Sequence, residues 1–251
     1  IRPIMSGDQL NSSPPRQQRE TTRFQTDSSR LTNNQNGSGA DSDNRFPKYG
    51  DKQDEATSSR FATDPESLNA LKSKTMVKEY VARSERDMEL PVLRSLFIES
   101  FDDFYKLIEP KLQLRPDISL RDWLDETFNE MQEEMITKQC RVFLLTTGSA
   151  PSDIIGFMQI KEENNTNTVY VSQVAAHASL KRKGFGALLL RYLISVYPPG
   201  KTYTGLCRRA NDPALQFYMK NGATIMSDDV VAKKYGYDST KYLGFQYIDP
   251  R

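Results

Sequence analysis

The stretch Val169-Tyr170-Val171-Ser172-Gln173-Val174-Ala175-Ala176-His177-Ala178-Ser179-Leu180-Lys181-Arg182-Lys183-Gly184-Phe185-Gly186-Ala187 decides how the chain is read. Its first half is β-branched and aromatic, as strands are. Its second half is a basic, glycine-punctuated turn that opens onto the apolar run Leu188 to Ile194. A helix N-terminus presents unpaired backbone N–H groups and about half a positive charge. Gly184 and Gly186 remove side chains where an anion comes closest, and Lys181, Arg182 and Lys183 add mobile positive charge. The pattern suits a diphosphate. A tight turn that merely packs helix on strand has the same glycines, so the turn alone leaves both readings open.

Outward from this stretch the elements alternate in type. Met76 to Ala82 reads as a first strand. Asp87 can cap a helix with apolar residues at Leu90, Leu93, Phe97, Phe101, Phe104 and Ile108, closed by Pro110. A loop runs from Glu109 to Ile118, and Ser119 caps a second helix through Trp123, Leu124, Phe128, Met131 and Met135. Strands at 141–147, 154–161 and 168–176 are separated by polar turns and form an antiparallel meander. The helix after Gly184 is apolar almost all round and is expected to be buried. A strand at 202–206, a helix opened by Asn211-Asp212-Pro213, and strands around Ile225 and at 242–248 complete the order. The loop Lys233-Lys234-Tyr235-Gly236-Tyr237 separates the last two strands. The expected fold is mixed α/β: a mostly antiparallel twisted sheet of about seven strands flanked by about four helices.

Residues 1–74 are polar, lack Val, Trp and Cys, and carry only scattered aromatics. They cannot bury enough apolar surface to offset ~1–2 kcal/mol of backbone entropy per residue, so they are expected to be a disordered tail ahead of a folded domain at 75–251. With 34 basic and 33 acidic side chains, no global field argues for nucleic acid or an anionic membrane. Two cysteines without metal-ligand spacing, and no bilayer-length apolar run, fit a soluble, intracellular, cytoplasmic chain without a metal. A linear ligand carrying amides can add itself to the edge of a strand that ends in small residues such as Ala175 and Ala176. A diphosphate at one end and amides along an arm describe coenzyme A.

Tyr170 to Ala187 resembles the acetyl-CoA-binding motif of the GNAT superfamily of N-acetyltransferases, whose turn is Arg/Gln-x-x-Gly-x-Gly/Ala; here it is Lys181-Arg182-Lys183-Gly184-Phe185-Gly186. A second family segment, Asn-x-x-Ala-x-x-Phe-Tyr-x-Lys-x-Gly-Phe, is matched by Asn211, Ala214, Phe217, Tyr218, Lys220 and Gly222, with Ala223 in place of the aromatic. The resemblance covers about residues 76–251. It implies that backbone groups of Val174, Ala175 and Ala176 pair with the pantetheine arm, that an N–H at Val174 polarises the thioester carbonyl, and that residues Lys181 to Ala187 (Lys181, Arg182, Lys183, Gly184, Phe185, Gly186, Ala187) hold the pyrophosphate. It also implies that Tyr218 protonates the departing thiolate and that Asn211 contacts the pantetheine while starting its helix.

Many members of that superfamily carry a carboxylate on the fourth strand, where this chain has Ser172 and Gln173. Glu99, Asp102, Asp103 and His177 are alternative bases, and Gln173 can hold a water. A Cys207–His177 nucleophile pair is a weaker reading, since a lone Cys at a strand end is usually just buried. Two functions follow: direct acetyl transfer from acetyl-CoA to a primary amine (protein lysine, N-terminus or small molecule), or a non-catalytic acyl-CoA-binding or interaction module.

Overall fold

The computed structural model describes residues 64–112, 117–163 and 166–251. Seven strands form one sheet: β1 (Met76–Tyr80), β2 (Arg141–Thr146), β3 (Ile154–Glu162), β4 (Thr168–Ala176), β5 (Thr202–Arg208), β6 (Thr224–Ile225) and β7 (Tyr242–Ile248). Their spatial order is β1-β2-β3-β4-β5-β7-β6, and every neighbouring pair is antiparallel except β4–β5. The helices among the described residues are α1 (Pro65–Lys74), α2 (Glu89–Leu112), α3 (Leu120–Ile136), α4 (Phe185–Val196), α5 (Asp212–Lys220) and α6 (Asp228–Tyr235).

Helices cover both faces of the sheet, so the central strands read as near-continuous apolar runs. Along β2, Val142 and Leu144 pack with Leu93, Phe97, Leu124 and Phe128 of α2 and α3. The alternating Phe143 and Leu145 pack with Leu189 and Leu193 of α4 on the other face. Tyr170, Met226, Val231, Tyr235 and Tyr237 make a third, smaller cluster where α6 meets β4 and β7.

The site is positioned by an irregularity in β4. Gln173 pairs with Gln159, but Val171 pairs with Ile160, which leaves Ser172 as an extra residue. Such a bulge bends its strand and reverses the alternation of side chains beyond it. Val169 and Val171 before the bulge, and Val174 and Ala176 after it, accordingly share the α4 face. Parallel pairing with β5 stops at Val171–Gly205, although both strands run on. At that last pair a Cβ on Gly205 would lie 2.3 Å from the Phe245 ring and 2.8 Å from the Val171 carbonyl, so only glycine lets the strands close before they part.

Several expectations need correction. α1 lies inside the stretch read as tail: Asp64 caps it by accepting from the Ser67 N–H at 2.9 Å, and Leu68 and Leu71 pack on the α4-side core. Two leucines and a cap were too weak a signal within so polar a segment; residues 1–63 lie outside the described residues. β1 ends at Tyr80, two residues early, and the Asp87 carboxylate turns back to accept from the Arg83 N–H instead of capping α2. α2 continues past Pro110 to Leu112. The loop expected from Glu109 is therefore helix through Leu112, and residues 113–116 lie outside the described residues. α4 buries fully only Phe185, Leu189 and Leu193, and Val196 is exposed. The assigned loop around Lys233 is helix α6, with Asp228 and Asp229 in its first turn, two lysines in its last and Gly236 at φ +68° closing it.

Replacing both Leu68 and Leu71 by Ala should lower stability by about 2 kcal/mol in total, because each is only partly buried. Urea unfolding of the full chain measures this; an unchanged midpoint would show that α1 contributes nothing to the fold.

Candidate active site

Beyond the bulge, the backbone of β4 is paired on one edge only. The His177 N–H bonds the Ile155 carbonyl of β3 at 2.9 Å. Successive peptide groups of a strand face opposite edges, so the N–H groups of Val174 and Ala176 face the gap left by β5. The Ala176 carbonyl faces the same way and accepts from the Ser100 hydroxyl of α2 at 2.9 Å. An extended ligand with amides has two donors waiting along this edge.

The strand leads through a short 3-10 turn, Ala178–Leu180, into the glycine turn. Gly184 is the N-cap of α4 at φ +89°, and Arg182 also has a positive φ of 62°. Gly186 faces α5: a Cβ there would stand 3.0 Å from the Phe217 ring and 3.8 Å from Val174. Strand, turn and helix therefore meet at one point. A cavity of about 750 Å³ opens beside the turn, lined by Arg182, Gly184 and Ala187 on one side and Gln216, Phe217 and Lys220 of α5 on the other. Among the residues assigned to the diphosphate, Phe185 offers only its backbone, since its side chain is 1% exposed in the core. Lys181 leans toward Asp103 at 3.9 Å, and Lys183 is half-buried.

One cation here was missed. The Lys72 ammonium of α1 lies 3.7 Å from where a Cβ of Gly184 would be and 5.9 Å above the Phe185 ring. Its sequence position, inside the polar tail, gave no sign of this.

A second cavity, of about 190 Å³, lies in the mouth between β4 and β5. Ser172, Gln173 and Val174 line it from β4, and Leu206, Cys207 and Arg208 from β5, with Asn211, Ala214 and Tyr218 from α5 and its cap. Tyr218 is stacked on Phe245 with centroids 3.6 Å apart. Burial, and secondarily Cys207, pushes its ionisation well above the ordinary phenol range, so the hydroxyl keeps its proton at neutral pH. The Asn211 Oδ1 accepts from the Ala214 N–H at 3.1 Å and so caps α5, while the residue borders the cavity.

The proposed bases fare differently. His177 caps its own turn: Nδ1 lies 2.9 Å from the Ser179 hydroxyl, and Nε2 faces Glu99 at 3.8 Å. Asp102 is bound to Lys106 at 2.6 Å. Neither His177 nor any of Glu99, Asp102 and Asp103 is among the residues bordering the cavity. Instead α2 contributes Phe101, Phe104 and Tyr105. The carboxylates present are Glu130 and Glu134 of α3, one turn apart, beside Trp123 and Thr127. Trp123, Thr127, Glu130 and Glu134 follow a four-three-four spacing, so the sequence itself places them on one helix face beside the apolar stripe. Glu134 is held by the Lys161 ammonium at 2.7 Å and the Gln159 amide at 3.0 Å, both on β3. Burial pushes the Cys207 thiol up to about 11, the reverse of an activated nucleophile.

Residues 101–223 match the model of the acetyltransferase (GNAT) family. No curated protein sequence matches the chain. Among solved structures, the fold is similar to the PaiA N-acetyltransferase of Thermoplasma acidophilum in complex with coenzyme A (16% identity, 69% of this chain and 99% of that one, TM-score 0.50). An acetyltransferase of Thermus thermophilus is similar to the same degree (14% identity, 69% of this chain and 97% of that one, TM-score 0.50). No helix among the described residues is long and apolar enough to cross a membrane. Residues 101–223 are an acetyltransferase domain of the GNAT family.

Proposed function

We propose that the protein transfers the acetyl group of acetyl-CoA directly to a primary amine. The observation that carries this reading is the parting of β4 from β5 opposite the Gly184 turn, which leaves an unpaired strand edge running into a helix N-terminus. The amides from Arg182 to Ala187, with Lys181 and Lys183, take the pyrophosphate, and Lys72 adds charge from α1. The edge from Val174 to Ala176 takes the pantetheine, helped by Asn211. The Val174 N–H then points at the thioester oxygen, where charge develops as the amine attacks; one such donor is worth about 3 kcal/mol. As the new C–N bond forms and the C–S bond breaks, the neutral phenol of Tyr218 gives its proton to the sulfur, and the proton shed by the nitrogen that becomes the amide restores the phenol.

Calorimetry with acetyl-CoA, followed by thiol release over a panel of amines, tests the reading. Failure to bind at millimolar concentration would sink it. Binding without turnover of any amine would leave an acyl-CoA-binding module.

Two substitutions probe the two ends of the site. Tyr218→Phe should lower kcat about 100-fold while leaving the calorimetric Kd for acetyl-CoA nearly unchanged. Lys72→Ala should weaken acetyl-CoA binding about fivefold, roughly 1 kcal/mol for a half-exposed charge pair, and the difference should shrink as salt is added. An equal effect at all ionic strengths would remove Lys72 from the phosphate site.

A further inference from the structure

The cavity between β4 and β5 is bordered by two side chains of opposite charge that pair with no group among the described residues. Arg208 makes no ion pair or hydrogen bond among the described residues; its Nε is buried without a partner, and its guanidinium lies 4.7 Å over the Tyr242 ring. Glu130 likewise has no partner among the described residues, whereas its neighbour Glu134 is neutralised by Lys161. The Ser172 hydroxyl, at the bulge, is a second buried group with nothing to bond among the described residues. Leaving a buried donor unpaired costs about 1–3 kcal/mol, and more for a charged one.

Topology sets the two charges apart. α3 lies over β3, to which Glu134 is bonded, while Arg208 ends β5 and pairs in register with Tyr242 of β7. β4 runs between β3 and β5, so the strand beneath α3 and the strand that carries Arg208 lie roughly two strand spacings, or ~10 Å, apart. A simple amine would satisfy Glu130 and leave Arg208 facing a second positive charge. An anion would do the reverse. A molecule carrying both groups satisfies both.

We infer that the acetyl acceptor is a small amino-carboxylate, its ammonium held by Glu130 and its carboxylate by Arg208, with the Ser172 hydroxyl donating to the same ligand. A volume of about 190 Å³ accommodates a small molecule, since a water occupies ~30 Å³. Phe101, Tyr105 and Trp123 offer its body an aromatic wall. The inference rests on the acetyl-transfer reading for the word acceptor, and on the cavity alone for the ligand.

The test is calorimetry on the full chain saturated with coenzyme A, titrated with matched pairs: glycine and methylamine, lysine and cadaverine, phenylalanine and phenethylamine. At least one amino acid should bind about tenfold or more tightly than its decarboxylated partner, the effect of one charge-assisted hydrogen bond. Arg208→Gln should erase that margin, Arg208→Lys should restore part of it, and Glu130→Gln should weaken both members of the pair. The coenzyme Kd, unchanged in each variant, reports that the fold is intact. If no amino acid outbinds its amine, or if Arg208→Gln weakens both members equally, the inference is wrong. Thiol release measured alongside separates the two readings. Amino acids that bind but release no thiol keep the cavity assignment and sink acetyl transfer. Amines acetylated regardless of a carboxylate do the opposite.

Discussion

A strand inside a sheet must satisfy its backbone on two edges, and β4 does so only as far as Val171. The extra residue at Ser172 bends it away from β5, and three further residues of β5 run on without it. Unpaired N–H groups under two layers of helix are costly, so an edge of this kind persists only where something else can occupy it. The rest of the architecture serves that opening. Gly205 allows the last pair to close, Phe245 and Tyr218 fill the far side with stacked rings, and the end of β4 is carried straight into the N-terminus of α4.

The same bend sorts the two cavities. Because alternation reverses at Ser172, Val174 turns toward α4 and its contact with the Gly186–Phe217 junction, while Gln173 borders the space under α2 and α3. One residue of offset thereby gives the strand two different neighbours on its two faces. On the proposed reading, the diphosphate and the acceptor are kept on opposite sides of a single peptide edge.

Much of this was legible in the residues. The strand and helix periods, the meander, the Ser119 cap and the glycine turn are local signals, each set by a few adjacent side chains, and the structure reproduces them. Signals that depend on distant partners were not legible. Glu130 and Arg208 are 78 positions apart in the numbering, and nothing in either neighbourhood marks them as facing one space. His177 was conspicuous as the only histidine, yet its ring is engaged by Ser179 two residues on. α6 was hidden because Lys233, Lys234 and Tyr235 look like a solvated loop until Val231 and Tyr235 are seen to pack beneath Met226 and Tyr170.

α1 ends one turn after it has anchored Leu68 and Leu71, and Lys72 stands in that last turn beside Gly184. On the proposed reading this makes docking of the helix and occupancy of the phosphate turn linked equilibria, each favouring the other by the same factor. The segment ahead of β1 then acts as a lever on coenzyme affinity. A modification or partner that lifts α1 from the sheet loosens the coenzyme, and a bound coenzyme holds α1 down, without either event touching the acceptor cavity.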